Sequence, residues 1–218
     1  MLTKVNSELK VYIERKIIPL YYKDFRIEHI NSIIKRSFEI VNKYSLVVNI
    51  NMVYVIAVFH DIGYTVNKNH CEKISSNIFR NNSEMKKYFT EKQINIISDA
   101  IIDQKNKDAR NVYGRIISSA IKVLSIEKVL KNSIIFQYNK HNDITIDEII
   151  EYSYIQLFHQ YIIDKNYKIY FPDKKSIEFL NEIEKLLQDK EQFIEQELKI
   201  INSLKSINSN KKLIRTII

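Results

Sequence analysis

Glycine and proline are nearly missing from this chain: two of each occur in 218 residues. Sandwiches and barrels need many tight turns, and those turns draw heavily on glycine and proline. The chain is therefore expected to be all-α, its helices joined by Asn, Asp, Ser and Lys loops. Cysteine occurs once, at Cys71, which excludes an intramolecular disulfide and suits a reducing compartment. Cys71 adjoins His70, but with no identifiable base and orienting partner it is not assigned as a catalytic thiol. No stretch reaches about 18 uninterrupted apolar residues, so no membrane span is expected. Residues 1–16 carry charges throughout and lack the apolar centre of a signal peptide, which makes the cytoplasm the expected location. A dense run of Arg and Lys is also absent, which argues against a nucleic-acid partner.

What is present is apolar and basic. Hydrophobic residues make up 45% of the chain and aromatic residues 11%, enough to bury a core. The formal net charge is +8, with lysines scattered among glutamates, as on a solvated surface that would also welcome an anionic small molecule. Helical periodicity is plain over residues 26–43, where Ile27, Ile30, Ile33, Ile34, Phe38 and Val41 recur on one face and place His29 beside it. Residues 51–61 are almost continuously apolar, and their length favours a buried helix over a strand. Thr90 and Gln93 form a capping-box pattern that opens a helix through Ile94, Ile97 and Ile101. Further helices are expected over 9–20 (stopped near Pro19), 68–81 (with His70 in its first turn), 116–130, 145–160 and 174–201. A loosely held tail or short helix is expected over 206–218.

The most informative residues close the apolar run. His60-Asp61 puts an imidazole beside a carboxylate at a helix end, two ligand types that can hold a divalent metal at the edge of a helical core. Gly63 follows two positions later, where a helix C-terminal cap calls for a residue able to adopt positive φ. His29 lies upstream on another predicted helix, and His70 follows the turn.

This order, a histidine and then His-Asp some thirty residues on, resembles the HD superfamily of metal-dependent phosphohydrolases. Further segments look like one bacterial HD-domain subfamily, in order along nearly the whole chain: Pro19-Leu20-Tyr21, His60-Asp61-Ile62-Gly63, Asn69-His70, Phe89-Thr90-Glu91, Tyr113-Gly114-Arg115-Ile116-Ile117-Ser118-Ser119-Ala120 and Tyr170-Phe171-Pro172-Asp173. The resemblance implies a single HD-type domain of eight to ten helices over residues 1–205, with a core at about 20–130, C-terminal helices at 145–205 and a tail at 206–218. It implies His29, His60 and Asp61 as metal ligands, and Asp61 and His70 as the catalytic pair. Arg115 and Lys122 would contact an anionic substrate. The cofactor implied is a divalent metal (Mn, Fe, Ni, Zn or Mg), which makes a hydroxide accessible near neutral pH and neutralises phosphoryl charge. The implied substrate is a phosphorylated small molecule or nucleotide.

Two positions depart from the family pattern. Gln104 stands where the subfamily has histidine, and Ile121 stands where it has the aspartate that closes the metal shell. An isoleucine cannot bind a metal, and losing a carboxylate weakens the charge match. Asp103, which shares a helical face with Asp99, is a candidate substitute ligand; the alternative is that both acids are solvated. Two expectations follow for function: a phosphohydrolase weakened at Ile121, or a catalytically inactive, metal-free HD-like domain serving as a binding or regulatory module. Neither the metal, the substrate nor the oligomeric state is set by these residues.

Overall fold

Among the described residues there are ten α-helices and no strand. The structure, a computed structural model, describes residues 4–24, 27–104, 108–122, 124–141, 143–165 and 167–209. The chain divides into two compact units, Met1–Lys122 with Ile169–Phe171, and Val123–Lys168 with Pro172–Ile218. None of the described helices is long and apolar enough to cross a membrane.

The first unit holds α1 (Ser7–Tyr12), α2 (Ile27–Lys43), α3 (Ile50–Phe59), α4 (Cys71–Asn81), α5 (Glu91–Asp103) and α6 (Val112–Ala120). Its centre is α3, nine of whose ten residues are buried, which is why the sequence there is apolar all round. Helices α2, α5 and α6 each pack against it. The core includes Ile30 and Ile33 of α2, Val55 to Phe59 of α3, Ile97 and Ile101 of α5, and Ile117 and Ala120 of α6. At the start of α3 the Asn49 side chain accepts from the Asn51 N–H, while the Asn49 N–H donates to the Tyr113 hydroxyl of α6 at 3.0 Å. The Thr90–Gln93 capping box opens α5 as its sequence predicts.

Several boundaries differ from those that apolar spacing predicts. The first helix does not stop at Pro19. Proline offers no N–H to the preceding turn; the helix widens into a π turn over Ile13–Ile17, closed by the Ile18 N–H on the Ile13 carbonyl, and continues as a 3-10 helix over Ile18–Asp24. The helix predicted over 116–130 is two helices. The first ends at Ala120, and α7 (Ile126–Lys140) starts afresh from Ser125, whose side chain accepts from the Lys128 N–H. The helix predicted over 174–201 is also broken, into α9 (Lys174–Gln188) and α10 (Lys190–Ser209), because the Asp189 side chain accepts from the Gln192 N–H and caps a new start. Helix α10 thus covers the start of the expected tail, whose remainder, 210–218, lies outside the described residues.

The second unit is completed by α8 (Ile146–Phe158), opened by a Thr145–Glu148 capping box. Its core joins Leu130 and Ile134 of α7, Ile150 and Leu157 of α8, Phe179, Ile183 and Leu187 of α9, and Phe193 and Ile201 of α10.

Candidate metal centre

The end of α3 is clamped from three sides, and the clamping places His60. The Tyr21 hydroxyl donates to the Val58 carbonyl at 2.5 Å. The Gln104 side-chain amide donates to the His60 carbonyl at 2.6 Å, and the His60 N–H stays bonded to the Ile56 carbonyl at 2.9 Å. His60 Nδ1 lies 2.8 Å from the Ala57 carbonyl, an acceptor, so Nδ1 carries a ring proton and Nε2 is the nitrogen suited to ligate a metal. Metal-binding histidines are commonly oriented by such a bond from the other ring nitrogen to a backbone carbonyl.

His29 meets this end from α2, its ring centroid 5.5 Å from that of His60. Together, His29, His60 and Asp61 offer ligand atoms that lie within 4.8 Å of one another; among the described residues no other group of three or more His, Cys, Asp or Glu does so. His60 is buried, Asp61 half-buried and His29 exposed, so the cluster opens to solvent on one side. An ion bound at roughly 2.0–2.2 Å from each ligand atom needs those atoms within about 4 Å of one another, a small side-chain adjustment from this arrangement. Two imidazole nitrogens and a carboxylate oxygen suit Zn, Mn, Fe or Ni better than the all-oxygen shells that Mg prefers.

Gly63 has a role other than the one its position suggests. Neither glycine has positive φ. A Cβ on Gly63 would sit 2.4 Å from the Cys71 carbonyl oxygen and 2.7 Å from the Ser75 nitrogen, so glycine is needed for the close approach of the Ile62–Thr65 turn to α4. The Gly63 N–H donates to Ser75 Oγ at 2.8 Å across that approach. Cys71, in the first turn of α4, donates from Sγ to Asp61 Oδ1 at 3.0 Å.

The other residues singled out in the sequence lie outside the three-residue cluster. His70 occupies the N-cap position of α4 without a side-chain capping bond and is exposed. Arg115 is exposed on α6, its guanidinium carbon 5.8 Å from the Tyr170 ring centroid. Lys122 is half-buried just beyond α6, and burial lowers its amine below the usual lysine range. Ile121, at the C-cap of α6, packs part-buried against the main core. Asp103 is not solvated. It is fully buried, accepting Arg110 Nε on Oδ1 at 2.8 Å and the Arg110 backbone N–H on Oδ2 at 2.7 Å. Asp99 meets the same guanidinium at 2.9 Å. Both acids thus belong to an Arg110 clip that joins the end of α5 to the segment before α6.

Three participants are not apparent from the sequence. Cys71 lacks the neighbours of a nucleophile, yet its hydrogen bond reaches a candidate ligand ten residues away. Gln104 is more than a lost histidine, since it holds the His60 carbonyl. Arg36 lies seven residues after His29, two turns along the same face of α2, and donates to the Lys122 carbonyl at 2.7 Å, tying that helix to the end of α6. That spacing could have flagged Arg36; no local signal marks the others.

No family model, curated protein or solved structure matches the chain.

Proposed function

We propose that the first unit is an HD-type, metal-dependent phosphohydrolase acting on a phosphorylated small molecule or nucleotide, with His29, His60 and Asp61 as its protein ligands. The observation that carries this reading is the convergence of these three ligand atoms within 4.8 Å at a solvent-facing helix end. Catalytic metal sites commonly keep three protein ligands and leave a position for water or substrate, whereas structural sites are closed by four. A divalent ion held there would acidify water and neutralise charge on a phosphoryl group.

The chain's own residues have separate tasks. His60 would ligate through Nε2, because Ala57 holds the proton on Nδ1. Asp61 supplies the negative charge of the ligand set. The overall charge of +8, with Lys122, Arg115 and His70 on the same unit, favours an anionic substrate over a neutral one. Asp61 and His70 are the candidates for handling protons. With Ile121 in place of the carboxylate that would be the fourth ligand, metal affinity and rate are lower than a complete shell would give.

The test is metal content and turnover of the full chain. Stripped with chelator and given Mn or Zn, the protein is expected to retain one ion per chain by mass spectrometry and to hydrolyse bis-p-nitrophenyl phosphate, with both properties lost in His60→Ala and Asp61→Ala. Ile121→Asp, which restores a carboxylate at that position, is expected to tighten metal binding. A wild-type chain that retains no ion and turns over no phosphoester overturns the reading. What then remains is an HD-like binding or regulatory module, which the commitment of Asp103 to Arg110 and the apolar Ile121 would favour.

A further inference from the structure

A carboxylate ligand is useful to a metal only if it is aimed. The terminal torsion of aspartate is broad, so an Asp at a turn samples several orientations unless one oxygen is held. Such holding bonds orient ligands and tune affinity.

Asp61 sits at a turn and has no side-chain capping bond to the 3-10 helix that follows it. Cys71, a 2%-exposed thiol, reaches it with Sγ 3.0 Å from Oδ1. Behind Cys71 stands Ser75, fully buried one turn along α4, its Oγ 3.8 Å from Sγ. Behind Ser75 is the Gly63 N–H, donating to Oγ at 2.8 Å. The single thiol hydrogen is directed to Asp61, so the Ser75 hydroxyl is the donor to sulfur. Donation then runs one way, from Gly63 to Ser75 to Cys71 to the Asp61 carboxylate, with each member polarising the next. A thiol is a weak donor, but its acceptor here is a carboxylate and the contact is part-buried. The approach that makes this possible depends on Gly63, where any Cβ would strike the Cys71 carbonyl. Cys71 itself does not join the group of ligand atoms that lie within 4.8 Å of one another.

We propose that Cys71 is a positioning residue of the metal centre, its thiol holding one oxygen of Asp61 so that the carboxylate is presented to the ion in one orientation. The proposal rests on reading His29, His60 and Asp61 as metal ligands.

Because Cys71 is the only cysteine, the S–H infrared stretch of the full chain is a single band that reports this one contact. In metal-free protein the band is expected at the low frequency of a hydrogen-bonded thiol, rising in Asp61→Ala. With Mn, Cys71→Ala is expected to bind about tenfold more weakly than wild type, while Cys71→Ser, which keeps a donor, recovers most of the loss. Both variants should keep the helical circular dichroism of the parent. With Co in place of Mn, wild type should show no sulfur-to-metal charge-transfer absorption. A band unmoved by Asp61→Ala overturns the proposal whatever the metal does. Cys71→Ala binding Mn as tightly as wild type overturns it while leaving the metal reading intact. A charge-transfer band makes Cys71 a ligand and overturns the positioning role. If wild type binds no Mn although the S–H band moves in Asp61→Ala, the metal reading fails and the positioning role falls with it.

Discussion

Each unit buries a carboxylate completely, and the two do so by different means. In the first, Asp103 is compensated by the Arg110 guanidinium and by a backbone N–H. In the second, Glu197 of α10 is also fully buried, but with no cation to compensate it among the described residues. Burial pushes the Glu197 carboxyl from 4.5 up to about 8, opposed only by the nearby Ser153 hydroxyl of α8. No charged group among the described residues acts on it. Ser133 of α7 is likewise buried without a hydrogen-bond partner among the described residues of that unit. An acid can be buried by pairing its charge or by keeping its proton, and the choice leaves a different mark on stability. The contrast extends to chemistry: the unit with the ligand cluster has the paired acid, while the described residues of the other unit hold no such cluster.

The contrast can be broken most directly at Glu197. Its folded pKa is raised, so the folded chain holds a proton that the unfolded chain releases. Stability is then at its full value below about pH 4.5, falls as pH rises toward about 8, and levels off above that. Glu197→Gln removes the ionisable group. It is expected to stabilise by on the order of 4 kcal/mol at pH 8 and to change stability little at pH 4.5, as read from urea unfolding at the two pH values. Equal effects at both would place an ionised carboxylate in the second unit and erase the difference.

A smaller effect is expected from the paired acid. Arg110→Ala removes the guanidinium that compensates the buried Asp103 carboxylate, and should cost about 3 kcal/mol in urea unfolding at neutral pH. Adding Asp103→Asn to that variant should recover part of the loss, because the uncompensated charge is gone. A cost below about 0.5 kcal/mol, the level of an exposed pair, would show that the guanidinium does not compensate Asp103. The smallest expected effect is one the two units share. Thr90→Ala and Thr145→Ala each remove a capping-box donor and acceptor, and each should cost about 1 kcal/mol of thermal stability by calorimetry. Near-equal losses would sharpen the contrast by confining it to the buried acids.

Much of this fold is legible in local features of the sequence. The apolar run of α3, the one-sided periodicity of α2 and the Thr90–Gln93 box are such features, and each matches its element. The breaks at 121–125 and at Asp189 are hidden because apolar spacing runs on through both without glycine or proline. What restarts the chain at each is a capping side chain, Ser125 or Asp189, which in sequence looks like any other polar residue. Of the candidate site, the dipeptide His60-Asp61 and the upstream His29 are legible as ligand types in order. The residues that hold them are not, because Cys71–Asp61 and Gln104–His60 are contacts across ten and 44 positions, with no periodicity to announce them.

The sequence by itself determined that the chain is helical, where several helices start and which residue types could bind a metal, since these follow from spacing and local chemistry. Only the tertiary structure decided that Gly63 serves close packing instead of a positive φ, that Asp103 belongs to Arg110, that Glu197 is buried without a charge partner among the described residues, and that a lone thiol reaches Asp61. Each of these depends on what lies within a few ångströms through space and on how much water is excluded there. Neither quantity is set until the helices have packed.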